Sequence, residues 1–200
     1  MAEAQRKTAR ERILDTAAGL FYREGIRAVG IDTIIARSGV AKMSLYRNFA
    51  SKDELVCAYL EDIGGHFWAW WDRVAACHPD DPRAQLVGLF TSLGRWIGHP
   101  KFRGCPFINT AVEFRDPDHP GRALVIAHKR RVRDGLRALA EAAGAADPDQ
   151  LAAQLQLLME GAYAGGQTLG SASGSGGTAE ALASAAAVLV DAACGRPRQA

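Results

Sequence analysis

Residues 30–52 read GIDTIIARSGVAKMSLYRNFASK. Ile31, Ile34 and Ile35 recur there at helical spacing, which predicts a short helix over 32–38 with one apolar face. Gly39 follows, and a residue without Cβ can adopt the left-handed conformation that ends a helix and turns the chain. Val40 and Leu45 then anchor a second helix over 41–48, while Lys42, Met43, Ser44, Tyr46 and Arg47 point elsewhere. Two short helices around a tight turn, the second polar on its outer face, fit a helix-turn-helix.

The flanks support that frame. Upstream, Ile13, Leu14, Ala17, Ala18 and Phe21 predict a helix over 7–24, closed by Gly25. Downstream, Ser51 and Glu54 have the spacing of a capping box, so a long fourth helix starts there and runs to His78 and Pro79. Gly64 and Gly65 in its middle weaken it by about 1 kcal/mol each relative to Ala and suggest a bend between domains. Charge is lopsided: residues 1–52 hold ten basic and five acidic side chains, although the whole chain carries only +2. A basic amino-terminal segment on a slightly acidic body suits phosphate binding by that segment.

The run VAKMSLYRNFASKDEL at 40–55, preceded by LFYREG at 20–25, resembles the recognition helix and following helix start of the TetR/AcrR family of bacterial transcriptional regulators. The resemblance covers about the first third of the chain and rests on several spaced features that agree. It implies an all-α fold of nine helices, with a three-helix DNA-binding head over 7–67 joined by the long fourth helix to a ligand-binding and dimerisation body over 80–195. The implied partners are a double-stranded DNA operator, a small-molecule effector and a second copy of the chain. On the outer face of the second short helix, Lys42 can reach guanine or phosphate, Met43 a thymine methyl, Ser44 a base edge, and Arg47 is a further reader. Resemblance gives Tyr46 a phosphate oxygen, and Lys52, at a helix start, is a second phosphate anchor. Gly30 and Ala41 stand where relatives often carry Ser or Thr, Met43 where Gly is frequent and Ala50 where Pro is frequent. Those departures bear on which operator is read and leave the fold expectation intact. The competing reading of a basic helix is a solvated face, whereas Leu45 and Phe49 read as core.

Composition agrees with an all-α chain: alanine is the commonest residue by far, and no valine-rich alternating segment occurs. Beyond Pro79, proline and glycine mark further helices opened at Pro82, Pro106, Pro120 and Pro148, then a flexible loop over 171–177, a last helix over 178–194 and a disordered tail. The body concentrates aromatic side chains, which often line apolar pockets holding a few polar groups. The resemblance implies a small-molecule chamber between the fourth helix and those that follow it. Trp71, Phe90, Trp96, Phe107, Asn109, Glu113, Tyr163 and Gln167 are the candidates for its lining, with ordinary core or exposed flank as the alternative for each. Trp68, Trp70 and Trp71 cannot all face one way on a helix. The last helix is apolar nearly all round and must be buried on several sides, as a dimer interface would bury it.

Other chemistry finds little support. Four scattered cysteines form no C-x-x-C pair and read as reduced thiols of a cytoplasmic protein; Cys105 beside Pro106 is either a redox sensor or an inert buried thiol. The run HKRRVR at 128–133 is either a second nucleic-acid patch or a charged helix face. The five histidines lack metal spacing, no cofactor is implied, and neither a signal segment nor a membrane span is expected. A small α-helical enzyme using Cys105, His99 or Glu113 in the aromatic chamber is the rival reading, but no activating constellation accompanies it.

Overall fold

The computed structural model describes residues 7–169 and 178–195. Among them all regular elements are helical: α1 (Ala9–Glu24), α2 (Ile31–Ser38), α3 (Lys42–Asn48), α4 (Lys52–Ala76), α5 (Pro82–Ile97), α6 (Pro106–Glu113), α7 (Pro120–Ala142), α8 (Pro148–Thr168) and α9 (Thr178–Cys194). The expected all-α architecture is therefore met, while the loop expected over 171–177 and the tail after 195 lie outside the described residues.

Local chemistry explains the boundaries. At the start of α1 the Glu11 amide donates to Thr8 Oγ1 at 3.2 Å and the Thr8 amide donates to the Glu11 carboxylate at 2.7 Å, a reciprocal capping box. Asp81 and Asp147 accept from the amides of Ala84 at 3.0 Å and Gln150 at 2.9 Å, each just before a proline whose missing N–H is harmless at that position. Gly39, at φ 64° and ψ 28°, donates its amide to the Ile35 carbonyl at 3.1 Å and turns the chain from α2 into α3. At the start of α4 the Glu54 amide donates to Ser51 Oγ at 3.1 Å, but the Glu54 carboxylate reaches one residue further back, to the Ala50 amide at 2.7 Å. The helix continues through Gly64 and Gly65 without a break, and the division between two compact units falls just after that pair.

The chain divides into two compact units, one holding Met1–Gly65 with Pro106–Ile126, the other His66–Cys105 with Ala127–Ala200. The division falls inside α4 and inside α7. In the first unit α1, α2 and α3 pack around buried Ile13, Ala17, Leu20, Phe21, Ile34, Leu45 and Phe49. Each such large apolar side chain contributes about 1.5–3 kcal/mol by leaving water. The same unit contains α6, which the sequence places in the body. The reason lies in Glu113, whose carboxylate accepts from the amides of Ile26 at 2.9 Å and Arg27 at 2.6 Å in the turn after α1, while the Arg27 guanidinium donates to the Glu113 carbonyl at 3.3 Å.

In the second unit α5 packs against α9 and α8 through buried Leu86, Leu89, Phe90, Leu93 and Ile97, facing Leu155, Met159, Leu182, Ala186 and Val190. Arg83 donates to the carbonyls of Gly195 at 2.6 Å and Cys194, placing a cation where the end of α9 presents unpaired carbonyls.

Candidate nucleic-acid interface

α3 is held from beneath and left open above. Leu45 is wholly buried and Phe49 nearly so, with the Arg10 guanidinium lying 5.0 Å from the Phe49 ring centroid. On the opposite side Met43 is 68% and Tyr46 45% exposed, and Lys42 and Arg47 are exposed beside them. Two side chains of α3 are turned back on their own helix: Arg47 Nε donates to the Met43 carbonyl at 3.4 Å and Asn48 Nδ2 to the Ser44 carbonyl at 2.7 Å. Ser44 itself is half-buried, so it stands lower in this face than its neighbours. Lys42 Nζ lies 3.6 Å from Asp32 Oδ1, an exposed pair of a kind worth about 0–1 kcal/mol, too weak to withhold the ammonium from a stronger anion.

The helix starts bear on anion binding. Neither Gly30 before α2 nor Ala41 before α3 provides a side-chain cap, in keeping with the absence of a hydroxyl at both positions. At α4 the amides of Glu54 and Ala50 are already bonded to Ser51 and Glu54, and Asp53 and Glu54 stand in the first turn. Lys52 is half-buried there, and burial lowers its ammonium pKa from the ordinary lysine range despite the nearby Glu113 and Asp53 carboxylates. Tyr46, Lys42, Met43 and Arg47 thus share the open face of α3, while Lys52 sits at its margin in a more crowded setting.

The eight candidates for an effector chamber fall in both units. In the first, Phe107 is buried, Asn109 is half-buried, and the Glu113 carboxylate is engaged by the turn after α1. In the second, Trp71 and Tyr163 are buried, Phe90 has no exposed surface, and Trp96 is 40% exposed. Trp96 meets Phe102 edge-on at 6.3 Å and Phe102 stacks with Tyr163 at 6.3 Å, forming one aromatic chain. Gln167 is exposed and donates from Nε2 to the Arg103 carbonyl at 2.9 Å. Trp71 instead joins Phe67 and Trp68, with centroids 6.1 and 5.3 Å away. His128 stacks edge-on against Phe67 at 4.9 Å, and burial, reinforced by Lys129 and Arg131, pushes its pKa down to about 4.

The basic run at 128–133 is engaged within its own unit. Lys129 pairs with Glu160 at 2.7 Å, Arg131 lies 4.1 Å from the Trp68 centroid, and Arg133 donates to Gln156. Cys105 is buried with Lys129 Nζ 3.5 Å from its sulfur, and all four cysteines are unbridged. Among the described residues no group of three or more His, Cys, Asp or Glu is placed to hold a metal ion, and no helix is long and apolar enough to cross a membrane. The role of Glu113 in tying α6 to the head carries no local sequence signal, because its partners are 86 and 87 residues away.

Residues 13–59 match the family described as bacterial regulatory proteins, tetR family, and residues 82–182 match the tetracyclin repressor-like C-terminal domain. A TetR-family transcriptional regulator from Streptomyces coelicolor is 32% identical and superposes with a TM-score of 0.81 over 93% of this chain and 94% of that one. The HTH-type transcriptional regulator YjdC of Escherichia coli (strain K12) is 22% identical over 152 residues, 76% of this chain and 80% of that protein. The HTH-type transcriptional repressor KstR2 of Rhodococcus jostii (strain RHA1) is 34% identical over 87 residues, 42% of this chain and 40% of the repressor.

Proposed function

The chain belongs to the TetR family of bacterial regulatory proteins, a DNA-binding transcriptional regulator and not an enzyme, and we propose that it acts as a dimeric repressor, released from a palindromic operator by a small molecule. The observation that carries this reading is the open face of α3, on which Lys42, Met43, Tyr46 and Arg47 are exposed above a buried Leu45. A helix of that kind enters the major groove, where each base pair presents its own pattern of donors, acceptors and methyl groups. Lys42, Met43, Ser44 and Arg47 are assigned to base edges, and Tyr46 and Lys52 to phosphates.

Dimerisation is supported by α8 and α9, where exposed Leu157 and Leu169 border a shallow groove of about 480 Å³ floored by Gly161, Ala162, Gly165 and Ala185. Small residues let the backbones of a second copy approach, and a twofold pair would set two α3 helices on successive turns of duplex, about 34–36 Å apart or a multiple of it. Within the second unit the effector is assigned to the aromatic side chains Trp71, Phe90, Trp96 and Tyr163 with the polar Gln167. Glu113 is assigned to transmission, since it bonds the turn that precedes α2. Release requires the effector to bind the non-operator arrangement more tightly than the operator-bound one; tight binding to both would shift nothing. Such a regulator works in the cytoplasm, where its unbridged cysteines stay reduced.

Selection of bound duplexes from a random library by the full-length protein, followed by gel shift at physiological salt, tests the reading. A palindromic consensus bound with a steep salt dependence is expected. Recovery of no preferred duplex overturns it.

A further inference from the structure

We propose that a groove between α4 and α5 in the second unit binds a small amphipathic monocarboxylate, at a site separate from the side chains assigned above to the effector. The groove measures about 620 Å³, within the range of small-molecule sites, and none of the eight chamber candidates lines it. The two helices run antiparallel along it. The Trp70 indole N–H donates to Ser92 Oγ at 2.8 Å at one end, and a Cβ on Gly88 would lie 3.2 Å from Val74 and 3.6 Å from the His78 ring further along. Because Gly88 has no side chain, part of the floor is bare helix backbone.

The lining is polarised along its length. Arg73 on α4 and Arg95 on α5 are both exposed and each stands three residues, one helical turn, from the Trp70–Ser92 pair, so both cations belong to that end of the lining. Neither guanidinium has an ion-pair or hydrogen-bond partner among the described residues, and no Asp or Glu lines the groove. The Ser92 hydroxyl already accepts from Trp70, which leaves its own hydrogen to donate at that end. From there Val74, Val87, Ala84 and Gly88 continue as an apolar track toward Cys77 and His78. From residue 70 to the end of α4 at residue 76 the track is about 9 Å long at 1.5 Å per residue, and Cys77 and His78 extend it. Two unpaired guanidinium groups match a carboxylate with charge-assisted, bidentate geometry, and the apolar track matches an alkyl chain attached to it. A bare inorganic anion would leave the track in water, and an apolar molecule would leave the cations unused.

Cys77 lies at the far end of the track and is exposed, so its alkylation reports occupancy. The full-length protein is treated with N-ethylmaleimide at increasing decanoate, kept below its micellar concentration, and labelling of Cys77 is followed by peptide mass spectrometry. At about ten times the half-protecting concentration, labelling should slow by about tenfold, as simple occupancy requires. Decyltrimethylammonium, with the same chain and the opposite charge, should give no protection. Each variant is compared with itself with and without ligand. Arg73→Ala with Arg95→Ala should abolish protection while the circular dichroism and melting midpoint are retained. Absence of protection by decanoate, equal protection by the cation, or full protection in the double alanine variant would each overturn the assignment.

Discussion

Two surfaces of this chain leave large side chains in water, and what surrounds those side chains differs. On α3, Met43 and Tyr46 stand among Lys42, Arg47 and the half-buried Ser44. On α8 and α9, Leu157, Leu169 and Val188 are 70%, 78% and 64% exposed among alanines and glycines. The first mixture suits a charged, hydrated partner, because cations supply attraction at a distance and apolar atoms contribute only on contact. The second has no charge to offer a polyanion, but its small residues allow two helix pairs to meet backbone to backbone. Exposure of apolar side chains alone therefore does not say what a surface binds; the neighbours decide it.

The comparison breaks most sharply if the body face is disrupted. Leu157→Arg with Val188→Arg should convert a dimer into a monomer by light scattering and cut operator binding by about 10²–10⁴-fold, the usual gain from linking two modules. A variant that stays dimeric would show that α8 and α9 are not the mating surface. On the head the expected effects are smaller and of two kinds. Tyr46→Phe removes one phosphate contact and should weaken all duplexes alike by roughly 1 kcal/mol, whereas Lys42→Ala should change the ranking of duplexes by about 1–3 kcal/mol at the base it contacts. Equal losses on every duplex from both would erase the division between anchors and readers.

A further effect concerns pH and belongs to the body alone. His128 has its folded pKa pushed down to about 4 from an ordinary 6.5. The unfolded chain therefore takes up the proton first on acidification. The stability that neutral His128 provides is complete above about 6.5 and is lost as pH falls through about 4. The melting midpoint should decline over that window, and His128→Phe should flatten the decline; an unchanged slope would show that other groups control it.

Much of this molecule is legible in its sequence because the signals are local. Asp81 with Pro82, Asp147 with Pro148 and the left-handed Gly39 each act within one turn of helix, and each boundary falls beside them. Leu45 inward with Lys42, Met43, Tyr46 and Arg47 outward follows from helical spacing alone. Gly64 and Gly65 do not end α4, because their propensity is a small term beside the rest of a 25-residue helix, yet the unit boundary falls just after them. The effector candidates are the least legible part, since an aromatic residue that stacks on another, as Tyr163 does on Phe102, has the same sequence appearance as one that meets a ligand.

Glu113 also has a temporal consequence. The amides of Ile26 and Arg27 receive their carboxylate from residues made 87 and 86 positions later. During synthesis the first three helices can therefore assemble well before their turn is fully bonded, and the head reaches its finished state only after α6 has emerged. A fragment ending at residue 67 would keep the reading helix but leave those two amides to water, so its α1–α2 turn would be looser than in the whole chain.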